Sequence, residues 1–362
     1  MATNPSVYTH SGVDTDGEER GMARLGEWVT RSFALRPGLG RPVLPLGHYA
    51  NVIALDEKRG VAVSSDGVGT KLFIAELMDR YDTVGIDCVA MNVNDLICIG
   101  AEPLALLDYI AVQVPHERLL AELGKGLYRA CELANITIPG GEVAQVREMI
   151  RGVREDWSFD LVGTAVGLVD LDRIITGSAV RAGDSVIGIA STGVHSNGYT
   201  LARRVLFDQA RLDVSSRPAG LGATLGETLL EPTAIYVKEV MAMLKAGLPV
   251  HGLVHVTSDG LTNLMRLDAE VGYRLDHLPK PQAIFDLIQH QGSLPDSEMY
   301  EVFNMGVGFC VVCDAASEAD VLRAAQSDGK QAWVLGKVVP APRQVELRPR
   351  KLLGRGNHFH PA

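Results

Sequence analysis

Aspartate, lysine, three hydroxyls and two glycines crowd into one short stretch, SSDGVGTKL, from Ser64 to Leu72. The chain leaves the apolar run GVAV to make it and returns to apolar residues at helical spacing in LFIAELM, which predicts strand, loop, helix. Such a loop presents free amide N–H groups at the positive end of a helix dipole, and a phosphate suits that position. An ordinary tight turn is the alternative. The spacing matches neither GxxxxGK[ST] nor GxGxxG. What the loop offers is the Asp66 carboxylate, the Gly67 and Gly69 amides, the Ser65 and Thr70 hydroxyls and the Lys71 ammonium.

A second set of oxygen ligands lies in GIDCVAMNVNDLICIGAEP. Read as a helix, this segment puts Asp87, Met91, Asn94 and Asp95 on one face. Hard cations such as Mg²⁺ favour carboxylate and carboxamide oxygens and usually share them with substrate phosphates. A solvated polar face is the bland reading, but a polar stripe on so apolar a helix needs partners. Glu142 follows two glycines in NITIPGGEVAQ and is read as an acid on a Gly-Gly bend; Asp108, inside PLALLDYIAV, reads as hydrogen-bonded structure. His195, Ser196, Asn197 and Gly198 precede a further helix in GVHSNGYTLAR. Ser196 or Asn197 could cap it, while the imidazole could donate or accept a proton near neutral pH. HGLVH spaces His251 and His255 by four but lacks the glutamate of HExxH and reads as a strand, which disfavours zinc. DTDGEE, Asp14 to Glu19, reads as a helix cap rather than a calcium loop.

These residues must be positioned by elements, and strand-like and helix-like segments alternate throughout the 362 residues. That pattern predicts an α/β (α+β) class, and the length suggests two domains. SVIGIASTGVHSNGYTLARRVL repeats the strand, loop, helix layout of the first motif about 125 residues later, and the expected boundary lies near Asp170, giving units of 1–170 and 171–362. Arg211 to Gly226 reads as a surface loop and the terminal RPRKLLGRGNH as a solvated tail. Acidic residues outnumber basic ones by 44 to 34, which disfavours a nucleic-acid partner. Five scattered cysteines imply reduced thiols and a cytoplasmic setting; Cys310 and Cys313 form a CxxC inside a strand-like run and read as core. The N-terminus shows no signal-peptide progression, and Glu102, Pro103 and Asp108 interrupt the longest apolar region, so no membrane span is expected.

The stretches GVDTD, SSDGVGTKL, DTVGIDCVAMNVNDLICIGAEPLALLDY, GGE, GVHSNGYTLAR, LLEPTAIYVK and EMYEVFNMGVGF, in this order, resemble the phosphoribosylformylglycinamidine cyclo-ligase (AIR synthetase) family. The resemblance implies a homodimer whose N-terminal sheets join into a barrel, with an α/β domain on each side. It also implies ATP-dependent ring closure of a phosphorylated substrate, with ATP and Mg²⁺ required. Asp66, Asp95 and Glu142 would hold the metal, and Lys71 would neutralise transferring charge. Ser65, Gly67, Gly69, Thr70 and Asn94 would contact the nucleotide, and His195, Ser196, Asn197 and Gly198 would face substrate or phosphate, His195 being the first candidate base. The chain departs from the family where GGETAEMPG is replaced by GGEVAQVRE and where TGGG is replaced by TSDG from Thr257. Other expectations the resemblance leaves open are a binding paralogue without turnover and two related ATP users, selenophosphate synthetase and thiamine-phosphate kinase. No cysteine precedes Cys88, against the reactive cysteine expected of the first.

Overall fold

The structure, a computed structural model, describes residues 15–362. It opens on helix α1 (Thr15–Val29); the expected cap within DTDGEE rests on side chains outside the described residues. A five-stranded sheet follows, built from β1 (Asn51–Ala54), β2 (Arg59–Gly67), β3 (Glu102–Val112), β4 (Thr137–Gln145) and β5 (Phe159–Asp170). Its order is β1-β2-β5-β3-β4, and only β3 and β4 run parallel. Between these strands lie α2 (Leu72–Met78), α3 (Val84–Cys98) and α4 (Glu117–Ala134). The second sheet has eight strands: β6 (Ser185–Ala190), β7 (Val250–His255), β8 (Gly272–Leu275), β9 (Val307–Cys313), β10 (Ala332–Val339), β11 (Gln344–Leu347), β12 (Leu352–Arg355) and β13 (His358–Pro361). They are ordered β13-β12-β11-β8-β10-β6-β9-β7. The helices that matter to the site here are α5 (Tyr199–Arg203), α6 (Leu225–Leu229) and α7 (Val237–Lys245).

Period-two patterning explains the first sheet. On β5 the odd-numbered residues from Phe159 to Val169 are buried and the even-numbered ones are not. The buried face lies under α3: a Cβ on Gly163 would meet Asn92 and Cys88. Residues on the opposite face, including Val61, Val63, Val162, Val166, Leu107 and Tyr109, stand in cross-strand register. Leu107 and Tyr109 there are exposed. Helix α3 is buried at every position except Ile86 and Asp95. Its Val89 and Val93 share one apolar cluster with Ala165 of the first sheet and Ile187 and Phe309 of the second. An apolar helix with few charges has no stable place on a surface, and here it fills the gap between the two sheets.

Two local expectations are corrected. The Gly140-Gly141 pair is not a bend: β4 runs straight through it, because Gly141 lets β4 lie against Asp108, whose carboxylate would be 2.4 Å from an added Cβ. The terminal segment is not a solvated tail but the hairpin β12–β13, anchored by the buried Phe359. The CxxC strand is as expected, with every residue of β9 buried. No helix among the described residues is long and apolar enough to cross a membrane.

Helices α3 and α4 meet through glycines. A Cβ on Gly85 would lie 2.5 Å from the Leu127 amide nitrogen, whereas one on Gly124, also in α4, would meet nothing within 4 Å. Gly85→Ala is therefore expected to destabilise by about 1–3 kcal/mol through overpacking, and Gly124→Ala to stabilise by about 0.5–1 kcal/mol through helix propensity. Denaturant midpoints of the two variants, compared at unchanged m-value, check the opposite signs.

Candidate active site

The loop after β2 and the polar side of α3 build two adjoining clusters, one open and one sealed. In the open cluster the Asp66 backbone is held by Asn92 of α3, whose Oδ1 accepts from the Asp66 amide at 2.9 Å and whose Nδ2 donates to the Asp66 carbonyl at 3.0 Å. The Asp66 carboxylate accepts from the Gly67 amide at 2.7 Å. Burial, and after it the neighbouring charge of Asp95, push the Asp66 carboxyl above the usual carboxylate range. Asp95 in turn accepts from His255 Nδ1 at 2.9 Å and keeps 16% of its side chain exposed. Two like charges are thus placed within electrostatic reach at a partly open position, where a divalent cation would relieve both.

The sealed cluster centres on Asp87, about two turns before Asp95 on α3. Its Oδ1 accepts from Lys71 Nζ at 2.9 Å, from the Thr233 amide at 2.7 Å and hydroxyl at 2.6 Å, and from Ser196 Oγ at 3.2 Å. Lys71 also donates to the Glu231 carbonyl at 2.6 Å, and both it and Asp87 are fully buried. Burial lowers the Lys71 pKa, with Asp87 pulling the other way. His195 completes this cluster. Its Nε2 faces the amides of Thr192 at 3.3 Å and Ala234 at 3.5 Å and so acts as an acceptor, which assigns the proton to Nδ1, a buried atom with no partner. Burial first, then His255 and Lys71, hold its pKa well below the ordinary histidine value. The imidazole is neutral.

Several expected residues take up other work. Lys71 is spent on Asp87 and the Glu231 carbonyl and, being fully buried, exposes nothing to a phosphate. The Gly67 amide is taken by Asp66, while Gly69, at φ +71°, supplies the left-handed residue that turns β2 into α2. Ser65 bonds Gly163 and Thr164, and Thr70 meets Thr200 at 3.3 Å across the two halves. Asn94 binds Ala234 and Tyr236 backbone groups. Ser196 does not cap α5; Gly198 stands at that N-cap, at φ +80°, and Asn197 is half-buried. Glu142 pairs with Tyr109 on the exposed face of the first sheet, opposite to the face that carries Asp66 and Gly163. The acids from three segments therefore do not converge; two of them do.

Asn92 and Thr233 escaped the sequence reading as functional residues, His255 was weighed there only for zinc, and Asp87, read as one of a stripe of oxygen ligands, is instead the sealed partner of Lys71. The signal for Asn92 was present, since it is a polar residue on an otherwise apolar helix. Beside the sealed cluster opens a cleft of about 550 Å³, lined by Arg80 from the first half and by Thr192, Gly193, Gly220, Gly222 and Glu231 from the second. Glu231 and Thr192 also bond Lys71 and His195, so the sealed cluster forms the back wall of this cleft.

The AIR synthase related protein N-terminal domain matches residues 47–169, and the corresponding C-terminal domain matches residues 181–347. The phosphoribosylformylglycinamidine cyclo-ligase of Methanothermobacter thermautotrophicus is 44% identical over 94% of this chain and 96% of its own length. Among solved structures, thiamine-monophosphate kinase of Stenotrophomonas maltophilia superposes with a TM-score of 0.57 at 18% identity, covering 86% of this chain and 92% of that one. PurL of T. maritima, solved complexed with ATP, superposes with a TM-score of 0.54 at 17% identity over 86% of this chain and 45% of that chain. At such identities the two structures establish the shared fold.

A buried histidine kept neutral couples stability to pH. Below about pH 6.5 an unfolded His195 takes up a proton that the folded protein refuses, so stability falls as pH drops, by up to about 1.4 kcal/mol per pH unit from this group. His195→Asn, chosen because asparagine tolerates the observed φ of +66°, is expected to flatten the slope of unfolding free energy between pH 6.5 and 5. Denaturant titrations across that window would reveal an unchanged slope if the ring were charged in the fold.

Proposed function

The chain belongs to the phosphoribosylformylglycinamidine cyclo-ligase family, and we propose that it converts formylglycinamidine ribonucleotide to 5-aminoimidazole ribonucleotide with consumption of ATP, in purine biosynthesis. ATP transfers its γ-phosphoryl group to the oxygen of the formyl-derived amide, an amidine-side nitrogen attacks the activated carbon, and phosphate leaves as the imidazole ring closes. Phosphoryl transfer is largely positioning and charge stabilisation, so the protein must supply fixed charges more than covalent chemistry. The observation that carries this reading is the Asp66–Asp95 pair, held by Asn92 and His255 at a partly open place between the two halves.

Two carboxylates suit Mg²⁺, which takes one or two protein acids and leaves its other positions to phosphates and water. Among the described residues no group of three or more His, Cys, Asp or Glu gathers to hold a metal ion, against the three-acid set that the resemblance implies. Asp66 and Asp95 would hold the ion; bound there, it would neutralise charge on the triphosphate. Glu142 is left out of that set because it stands on the other face of its sheet. The cleft beside Thr192 and Glu231 has a volume suited to a small ligand, and we assign it to the phosphorylated substrate. Lys71 and His195 act there through the wall they build. A paralogue without turnover is not favoured, since the acid pair is intact.

The open apolar face of the first sheet supports a homodimer, with the division of the chain near Asp170. The described cysteines are all free, which supports a cytoplasmic setting. Three outcomes are expected. Asp66→Asn is expected to lower ADP release at saturating substrate by at least about tenfold, a loss of more than roughly 1.4 kcal/mol of transition-state stabilisation; a wild-type rate would remove Asp66 from the mechanism. Wild-type protein should sediment as a dimer, and Leu107→Glu, which buries a charge in the proposed interface, should shift it towards monomer. A wild-type protein that sediments as a monomer at micromolar concentration would rule the interface out.

A further inference from the structure

His255 ends β7 on the second sheet, yet its ring lies against α3 of the first half and is only 1% exposed. Nδ1 meets a carboxylate, Asp95 Oδ1, at 2.9 Å and is therefore the donor. Nε2 is left to accept from Asn94 Nδ2, 3.5 Å away. Asn94 is itself locked, because Nδ2 donates to the Ala234 carbonyl at 2.8 Å and Oδ1 accepts from the Tyr236 amide at 3.0 Å. The backbone of His255 is fixed as well: its carbonyl accepts from the Tyr49 hydroxyl at 3.0 Å, and the Arg266 guanidinium covers the Tyr49 ring at 4 Å or less. The Phe309 ring stacks on the imidazole from within the sheet, centroids 6.4 Å apart. Every degree of freedom of this ring is taken up.

Asp95 is the opposite case. It is one of two α3 residues left incompletely buried, and the His255 bond engages Oδ1 alone, leaving Oδ2 without a protein partner among the described residues. Asp66, whose backbone is bonded to Asn92 three residues earlier on the same helix, carries the same sign of charge. An untethered Asp95 would rotate away from Asp66 into solvent, since that separates the charges at the cost of one rotamer change.

We propose that His255 is a positioning residue for the divalent-cation site: by donating from Nδ1 to Asp95 Oδ1 it holds the Oδ2 atom beside Asp66, where the two acids share one ion. A partner of this kind, bonded to the ligand rather than to the metal, commonly sets how well a site binds. The inference rests on the reading of Asp66 and Asp95 as the ligands, and goes beyond it by giving the role to a strand residue of the other half. It also makes the two halves interdependent, because metal affinity would then require β7 to remain docked on α3.

The test is Mn²⁺ affinity, by electron paramagnetic resonance of the free ion, with a non-hydrolysable ATP analogue present. His255→Asn keeps an amide donor near the Nδ1 position, whereas His255→Gln moves it to the Nε2 position. The Asn variant is expected to bind Mn²⁺ within about threefold of wild type and the Gln variant at least about tenfold more weakly. The apparent KM for Mg²⁺ should follow the same order, with little change in KM for the ribonucleotide. Equal affinities in the two variants, or wild-type affinity in the Gln variant, would overturn the proposal. Asp66→Asn is measured alongside: if it binds Mn²⁺ as wild type does, the ligand assignment itself fails, whereas weakened binding there with wild-type binding in the Gln variant sinks His255 alone.

Discussion

The buried pairing of Lys71 with Asp87 is the interaction on which the arrangement of the site depends. Both side chains are wholly removed from solvent, and removal of either partner would leave an uncompensated interior charge at a cost of about 3–5 kcal/mol. The pair is tolerated because Asp87 Oδ1 receives further donors from Thr233 and Ser196, and because Lys71 has a second acceptor in the Glu231 carbonyl. Those partners come from three separate stretches: the loop after β2, helix α3, and turns of the second half. A charge that can be neutralised only when all three are in place specifies their relative position more sharply than apolar packing does. The same interaction explains why a lysine in a phosphate-like loop is withheld from phosphate.

From that fixed centre the open acids follow. Helix α3 carries Asp87 near its start and Asn92, Asn94 and Asp95 within one later turn, so locking Asp87 and Asn94 to the second half sets the azimuth of the helix and leaves Asp95 at its margin. Asn92 then holds the end of β2 so that Asp66 faces the same way. Burying a carboxylate beside a second one costs free energy, and burial first, then the Asp95 charge, raises the pKa of Asp66. A fold that maintains such repulsion with specific hydrogen bonds has a preorganised place for positive charge, which is the form charge stabilisation takes in phosphoryl transfer.

Much of this was legible in the sequence. Apolar runs marked β2, β6 and β9, the apolar helix with a polar stripe marked α3, and the SSDGVGTKL and GVHSNG loops fall where a strand hands over to a helix or turn. What stayed hidden was burial and facing. Lys71 and His195 belong to residue types that read as exposed and reactive, and nothing local announces that another segment 160 positions away covers the lysine. Glu142 was misplaced for a simpler reason. Two glycines read as a bend, but in a parallel edge strand Gly141 alone relieves a steric conflict with Asp108, and an uninterrupted strand then turns Glu142 to the face away from Asp66. His255 was passed over because its partner lies on another element.

The segment that departs from the family pattern, GGEVAQVRE, can be judged by what holds it. The chain beyond β4 is secured by Glu76 of α2, whose Oε2 accepts from the Val153 amide at 2.7 Å, the Arg154 amide at 2.9 Å and Ser158 Oγ at 3.2 Å. Trp157 stacks on His116 with ring centroids 4.1 Å apart and lies under the guanidinium groups of Arg118 and Arg154. Gly152 is required there, since a Cβ would sit 2.3 Å from the Glu76 carboxylate. This loop is therefore a self-contained structure with its own polar anchor and its own aromatic stack, attached to α2 and to the edge of the sheet. Neither Asp66 nor Asp95 has a hydrogen bond into it. Replacement of the usual acid and threonine thus changes an edge to which neither Asp66 nor Asp95 is hydrogen-bonded, and the positions of the two acids remain set by β2, α3 and β7.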